Sequence, residues 1–450
     1  MEPEQEGAEV TSAPEEITGQ PRRLVQGDLG WGTTFSALRH RNFRLFFAGQ
    51  LVSLIGTWMQ NTAQGWLVYQ LTNSKLLLGV VTAVGSAPMM LFSIWGGSVA
   101  DRHPKRTIVV LTQSTMMVLA FIYAALVWTG EIRPAHILVL AALGGLAMAF
   151  DMPARQAFMV EMTSREDLMN AVSLNSSIVN GARVVGPSVA GLVMARVGLT
   201  VCFLLNGLSF IAVIVGLLMM RLPRFVPVEH AGSAWSHAME GFSYVWKDWR
   251  MRTILILFAI VGIFGWSYSV MMPAFATDVL GVGAPGYGML LSANGVGALL
   301  GALTVASFGH RINRRWLVLG GLWVFSGMLF LLALVRNYYV ALGLLGVAGW
   351  GMLLFFSTTN TLLQTSASDQ MRGRVMGIWA LVFGGMTPLG GLVAGTLSHY
   401  FGVRLAIAIG ALVCAAAALV VWVVVRRMAA GEKAAPGGVA VEPSDNPTQA

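Results

Sequence analysis

Asp151 and Arg155 stand four residues apart in an otherwise apolar stretch, so a helix would set them on one face and let them pair. Arg183 lies at a comparable depth in the next apolar stretch. A charge near the centre of a bilayer costs at least ~2.5 kcal/mol on insertion scales, so charges so placed face a cavity or each other. Two kinds of chemistry fit. Asp151, partly desolvated, could take up and release a proton. Alternatively, a permanent Asp151–Arg155 ion pair fixes the helix around Pro153, and Arg155 and Arg183 both favour this by keeping the acid ionised.

A second group of charges is confined to a loop. In the stretch 97–106, Gly97, Asp101, Arg102, Lys105 and Arg106 fall between two apolar runs, each long enough to cross a bilayer, which pins the loop to a membrane surface. The pattern returns 208 positions later at 305–315 with its cations kept, but Gly309 stands where Asp101 stood. Gly56-Thr57-Trp58 and Phe264-Gly265-Trp266 share that offset, and Gly186-Pro187 is echoed by Thr387-Pro388 at an offset of 201. The chain therefore reads as a duplication whose halves have diverged, as in transporters built from repeats.

The elements that must position these groups follow from composition. Only 11 % of the 450 residues are charged and 56 % are hydrophobic, which excludes an ordinary soluble domain. Apolar runs fall at about 43–71, 76–100, 107–129, 136–158, 170–195, 200–220, 252–277, 287–308, 316–336, 338–363, 375–399 and 403–425. Twelve runs place both termini on one side. The connections on that side hold 21 of the 29 Lys and Arg residues and those on the other side hold 5, so the termini and the Gly97 loop are expected to be cytoplasmic. The net charge of +8 is thus a topology signal and calls for no nucleic-acid partner.

The expected organisation is a disordered tail at 1–34, six helices at 35–220, a cytoplasmic linker at 221–251, six helices at 252–427 and a second tail at 428–450. No cleaved leader is expected ahead of the first run. Within the linker, Trp235, Met239, Phe242, Val245, Trp246 and Trp249 recur at helical steps opposite His237, Glu240, Tyr244, Lys247 and Asp248. This predicts an amphipathic helix, lying on the membrane or packed under the bundle. Cys202 and Cys414 sit in apolar runs without metal-ligand spacing, so no metal is expected. Gly281-Val282-Gly283-Ala284-Pro285-Gly286 has dinucleotide-loop spacing but no preceding strand. No phosphate-binding loop and no hydrolase motif occurs, so no enzyme activity and no cofactor are expected, and energy must come from an ion or substrate gradient.

Gly97-Ser98-Val99-Ala100-Asp101-Arg102 with Lys105-Arg106 resembles the signature loop of the major facilitator superfamily. Gly186-Pro187-Ser188-Val189-Ala190-Gly191 resembles the helix-five motif of its drug and proton antiporters, with Ala190 in place of a usual Gly. The stretches 150–158 and 369–376 are similar to the branch containing enterobactin and macrolide exporters. The resemblance covers about residues 35–427 and implies an all-α integral membrane fold of twelve transmembrane helices in two pseudo-symmetric six-helix bundles. It also implies a conformational latch: Asp101 would face the positive start of helix eleven, near Arg372 and Arg374, while Arg102 and Arg106 could pair with Glu161. The competing view is that these cations only obey the charge rule.

In that superfamily helices one, four, seven and ten line a central cavity, which would put Gln60, Asn61, Gln64, Trp266, Tyr268 and Asn360 near substrate; ordinary interhelical bonding is the alternative for each amide. Gly186, Pro187 and Gly191 would keep an exporter tight against leaks or merely kink helix five. The implied function is secondary-active, proton-coupled efflux of an amphipathic drug or siderophore-like molecule by alternating access. The implied form is a monomer in the plasma or inner membrane. An importer of the same fold and a non-transporting receptor remain the alternatives.

Overall fold

The computed structural model describes residues 35–164, 166–222, 234–309 and 311–434. The expected first tail, positions 223–233 of the linker and everything beyond 434 lie outside the described residues. Every regular element described is helical: α1 Arg41–Thr72, α2 Lys75–Arg102, α3 Lys105–Trp128, α4 Pro134–Met162, α5 Leu168–Arg196 and α6 Leu199–Leu218. A connecting helix, Ala234–Lys247, leads to α7 Trp249–Val279, α8 Ala284–Phe308, α9 Arg314–Leu334, α10 Tyr338–Ser366, α11 Asp369–Phe401 and α12 Val403–Ala434.

Eleven of these helices are long and apolar enough to cross a membrane. The exception by that measure is α1, whose 32 residues include Arg44, Gln50, Gln60, Asn61 and Gln64. Two of these, Gln50 and Gln60, are bonded inside the protein, as shown below. Short polar residues end and start the helices. Asn73 takes the left-handed conformation (φ 49°) and returns its N–H to the Tyr69 carbonyl, and Ser74 Oγ then accepts from the Leu77 N–H at 3.2 Å. Asp248, Asn313 and Asn337 cap α7, α9 and α10 in the same way.

Because the turns are short, successive helices run back and forth. One end of the molecule collects the turn after Arg102, the start of α1 and the end of α6, where Asn42 Nδ2 donates to the Arg221 carbonyl and Arg106 donates to the Leu218 carbonyl. We call this the basic end. The first six helices pack mainly among themselves, α2 on α4 and α1 and α3 on α6, and α7–α12 do likewise through α8 on α10 and α9 on α10 and α12. Two contacts dominate the joint between the sets, α2 with α11 and α5 with α8, and α7 adds smaller ones with α1 and α2. Large apolar side chains such as Leu111, Trp128, Leu303 and Trp316 are exposed on the outside, the surface expected where lipid is the solvent.

α7 is irregular. A π turn occupies Val261–Gly265, a 3-10 turn Trp266–Met271, and a second π turn Phe275–Val279 follows Pro273. The connecting helix lies on α11, where Glu240 pairs with Arg374 and Val245 is buried, while Phe242 and Trp246 stack on its exposed side with ring centroids 5.2 Å apart. The side chains of Trp235 and His237 lie outside the described residues.

Candidate functional site

The site is organised by where the two helix sets touch. On α2 and α11, Gly79 meets the backbone of Gly391 and Gly395; a Cβ at Gly395 would lie 3.0 Å from the Gly79 Cα. On α5 and α8, Gly288 meets the Pro187 carbonyl, and a Cβ on Gly191 would lie 2.9 Å from the Ala284 carbonyl oxygen. Only small residues let helix backbones come this close. Farther from the basic end, Tyr69 Oη donates to Asp278 Oδ1 at 2.6 Å, Lys75 Nζ lies 3.0 Å from Asp278 Oδ2, and Trp66 stacks on Tyr287 at 5.5 Å. Groups from both sets thus seal this end.

Toward the basic end the glycines of these helices meet no such close backbone from the other set. A Cβ added at Gly97 on α2, at Gly181 on α5, or at Gly373 or Gly377 on α11 would meet nothing within 4 Å. The ion pairs here, among the described residues, each stay within one set: Lys105–Glu161 at 2.6 Å, His40–Asp167 at 2.7 Å, Arg372–Asp369 at 2.7 Å, and Arg374–Glu240. The hydrogen bonds of Ser36, His40 and Ser164 hold the Asp167 carboxyl below its usual range.

The expected latch makes no bond in this conformation: Asp101 and Arg102 are exposed and form no hydrogen bond or ion pair among the described residues. The expected partners of Glu161 need correcting: Lys105 takes that acid, because the Arg106 guanidinium is spent on the Leu218 and Met220 carbonyls at 2.9 and 3.5 Å.

Asp151 and Arg155 do pair, and a wider network surrounds them. Thr112 Oγ1 and Gln113 Nε2 donate to Asp151 Oδ1 at 2.7 and 2.9 Å, Arg155 holds Oδ2, and Arg155 also donates to Gln50 Oε1 at 2.6 Å. Asp151 is 1 % exposed, enclosed by α1, α3 and α4. Arg183 is not part of this network, contrary to the expectation that it helps to keep Asp151 ionised. It sits at the joint between the sets, where it donates to Asn294 Oδ1 at 3.2 Å and lies over Trp266 at 4.8 Å and Trp58 at 5.8 Å.

The expected cavity residues divide. Asn61 is exposed on the face of α1 that carries Trp58 one turn before and Gly65 one turn after, and Gly65 adjoins Tyr287 and Pro273 of the other set. Gln64 and Trp266 are partly exposed, and Asn360 is partly exposed and accepts from Gln364 at 2.7 Å. Two candidates turn inward instead. Gln60 accepts from Asn206 of α6 at 2.7 Å, tying helices within the first set, and Tyr268 is buried edge-on to Phe325 in the second. The helix-five motif straddles both neighbours: Gly186 packs on Trp58 of α1, and Pro187 and Gly191 face α8.

Sequence reasoning missed Tyr69, Lys75 and Asp278 at the sealed end, Thr112 and Gln113 beside Asp151, and Asn294 beside Arg183. An acid at the very end of an apolar run, as Asp278 is, was the one available signal.

A family described as transmembrane secretion effectors matches residues 32–441. The chain is 24 % identical to a staphyloferrin A transporter of Staphylococcus aureus, over 80 % of this chain and 90 % of that protein. It is 26 % identical to the multidrug efflux pump Tap of Mycolicibacterium fortuitum over the same shares, and 24 % identical to the enterobactin exporter EntS of Salmonella typhi over 78 % and 84 %. Among solved structures, a bacterial homologue of the human lysosomal transporter Spinster, inward-facing and occupied, superposes with a TM-score of 0.69. That match has 14 % identity and covers 86 % of this chain and 97 % of the other, a likeness of fold.

Proposed function

The chain belongs to the transmembrane secretion effector family of major facilitator transporters, and from that premise we propose that it is a secondary-active exporter of an amphipathic small molecule, coupled to protons. The observation that carries this is the unequal joint: the two helix sets touch and bond at one end and part at the other. Alternating access requires such an arrangement, with the same helices able to part at the sealed end and close at the basic end. In this reading α1–α6 and α7–α12 are two six-helix bundles, all twelve helices span the membrane, and the chain acts as a monomer with no nucleic-acid partner.

The charge rule puts the termini and the basic end in the cytoplasm, which makes this the inward-facing state. Asp101 then meets the start of α11 only when the basic end closes, so its present isolation fits a latch that is undone. Asp151 serves as a structural ion-pair member. Both of its oxygens already accept bonds from Thr112, Gln113 and Arg155, an arrangement that favours the ionised acid.

The test is an accumulation screen of drugs and siderophores in cells with and without the protein. Lower accumulation that disappears when the proton gradient is collapsed is expected. Higher accumulation would make it an importer, and no change for any compound would leave a non-transporting receptor. Transport by Asp151→Asn should keep its pH dependence; loss of that dependence would make Asp151 the proton carrier.

A further inference from the structure

Arg183 has no role in the mechanism above, and its surroundings are unusual for a cation at this depth. It lies on α5 one turn from Pro187, where the tight α5–α8 contact gives way to the part of the molecule that opens toward the basic end. Arg155, the comparable cation of the first set, is matched by Asp151. Among the described residues no carboxylate lies within 4 Å of Arg183; its neighbours include the faces of Trp266 and Trp58, one amide oxygen of Asn294 and the buried Tyr268. The ring faces attract the cation without using its N–H groups, and a guanidinium has five N–H donors, of which Asn294 takes one. A positive charge held at the joint between two apolar helix sets without a counter-ion is costly until something negative reaches it.

The helix face that leads to it is polar. Ser176 and Asn180 continue the Arg183 face of α5 toward the basic end; Ser176 is exposed, Asn180 is partly exposed, and Gly181 has open space beside it. The turns at the basic end carry an excess of Lys and Arg over Asp and Glu, a field that favours anions. Beside the guanidinium, Trp266 and Phe356, with centroids 5.7 Å apart, add apolar surface.

We propose that Arg183 is the anion-recognition point of a site between α1, α5, α7 and α8, and that its ligand is a small molecule carrying a carboxylate on an aromatic or otherwise apolar body. The carboxylate takes the free edge of the guanidinium in two parallel N–H···O bonds, and the body lies against Trp58 and Trp266. Only the statement that this ligand is cargo rests on the transport reading; the binding site stands apart from it.

The test uses the full chain in lipid nanodiscs and equilibrium binding of 2-naphthoate and of its neutral counterpart 2-naphthamide. Naphthoate should bind at least tenfold more tightly, Arg183→Gln should lower naphthoate affinity at least tenfold without moving naphthamide, and Arg183→Lys should fall between. Equal affinity of the two probes for the unaltered chain, or an equal loss of both in Arg183→Gln, would overturn the site and leave Arg183 as a staple between helices. If Arg183→Gln does not fold, the probe comparison on the unaltered chain and the Arg183→Lys variant decide. Naphthoate binding without flux of any compound would keep the site and remove the transport reading; flux without probe discrimination would do the reverse.

Discussion

At the sealed end the polar bonds run between the helix sets, whereas at the basic end they run inside each set. Tyr69 and Lys75 reach across to Asp278, but Lys105–Glu161, His40–Asp167 and Arg374–Glu240 each close on their own side. The difference separates two jobs. A bond that crosses the joint biases the balance between conformations, and a bond within a set stabilises that set in every conformation. Such a division lets one end open without loosening the bodies that move.

The largest expected effect comes from filling the seam. In Gly79→Leu the side chain has no room against Gly391, so transport should fall to that of cells lacking the protein while its amount in the membrane holds. A cysteine placed at Asn61 should then label with an impermeant maleimide from the sealed side, against little background because Cys202 and Cys414 are buried. Unchanged transport would break the comparison. Next, Asp151→Ala leaves the partly buried Arg155 without its acid and should cost up to about 3 kcal/mol, read as a lower melting temperature, with no change in labelling from the sealed side. A change in labelling would mean that this pair also sets the conformational balance.

Asp278→Asn should do the opposite. A partly exposed pair contributes up to about 1 kcal/mol, so labelling from the sealed side should rise by up to about fivefold while the melting temperature stays put. The smallest effect belongs to the partly exposed Asp167. Folding lowers its pKa, so its contribution is complete above the ordinary aspartate value of about 4 and is lost as the pH falls through the folded value. Thermal melts of Asp167→Asn and the unaltered chain should therefore differ slightly at pH 7 and converge below about pH 4.

Much of the architecture was legible because lipid imposes it: long apolar runs and charges swept into turns. The Asp151–Arg155 pair was legible because it is local, one turn of helix. Its partners were not, since Gln50, Thr112 and Gln113 come from other helices and nothing in their own segments marks them. Tyr268 packs its ring on Phe325 inside the second set, which its neighbourhood in sequence with Trp266 did not reveal. Asp278 escaped notice because the seventh apolar run ends at about 277, which leaves the acid looking like part of a loop. Arg183 was read by its depth alone, and depth does not say which neighbours a side chain meets.

The irregular winding of α7 has a mechanical consequence. A π turn stores a surplus residue, and releasing it into ordinary α winding would lengthen the rod by about 1.5 Å and swivel everything beyond it by about 100°. Trp266 lies just beyond the first such slack and Asp278 lies in the second. Like a telescoping strut between two stiff frames, α7 can take up the travel when the frames rock, sparing its straight neighbours the need to bend.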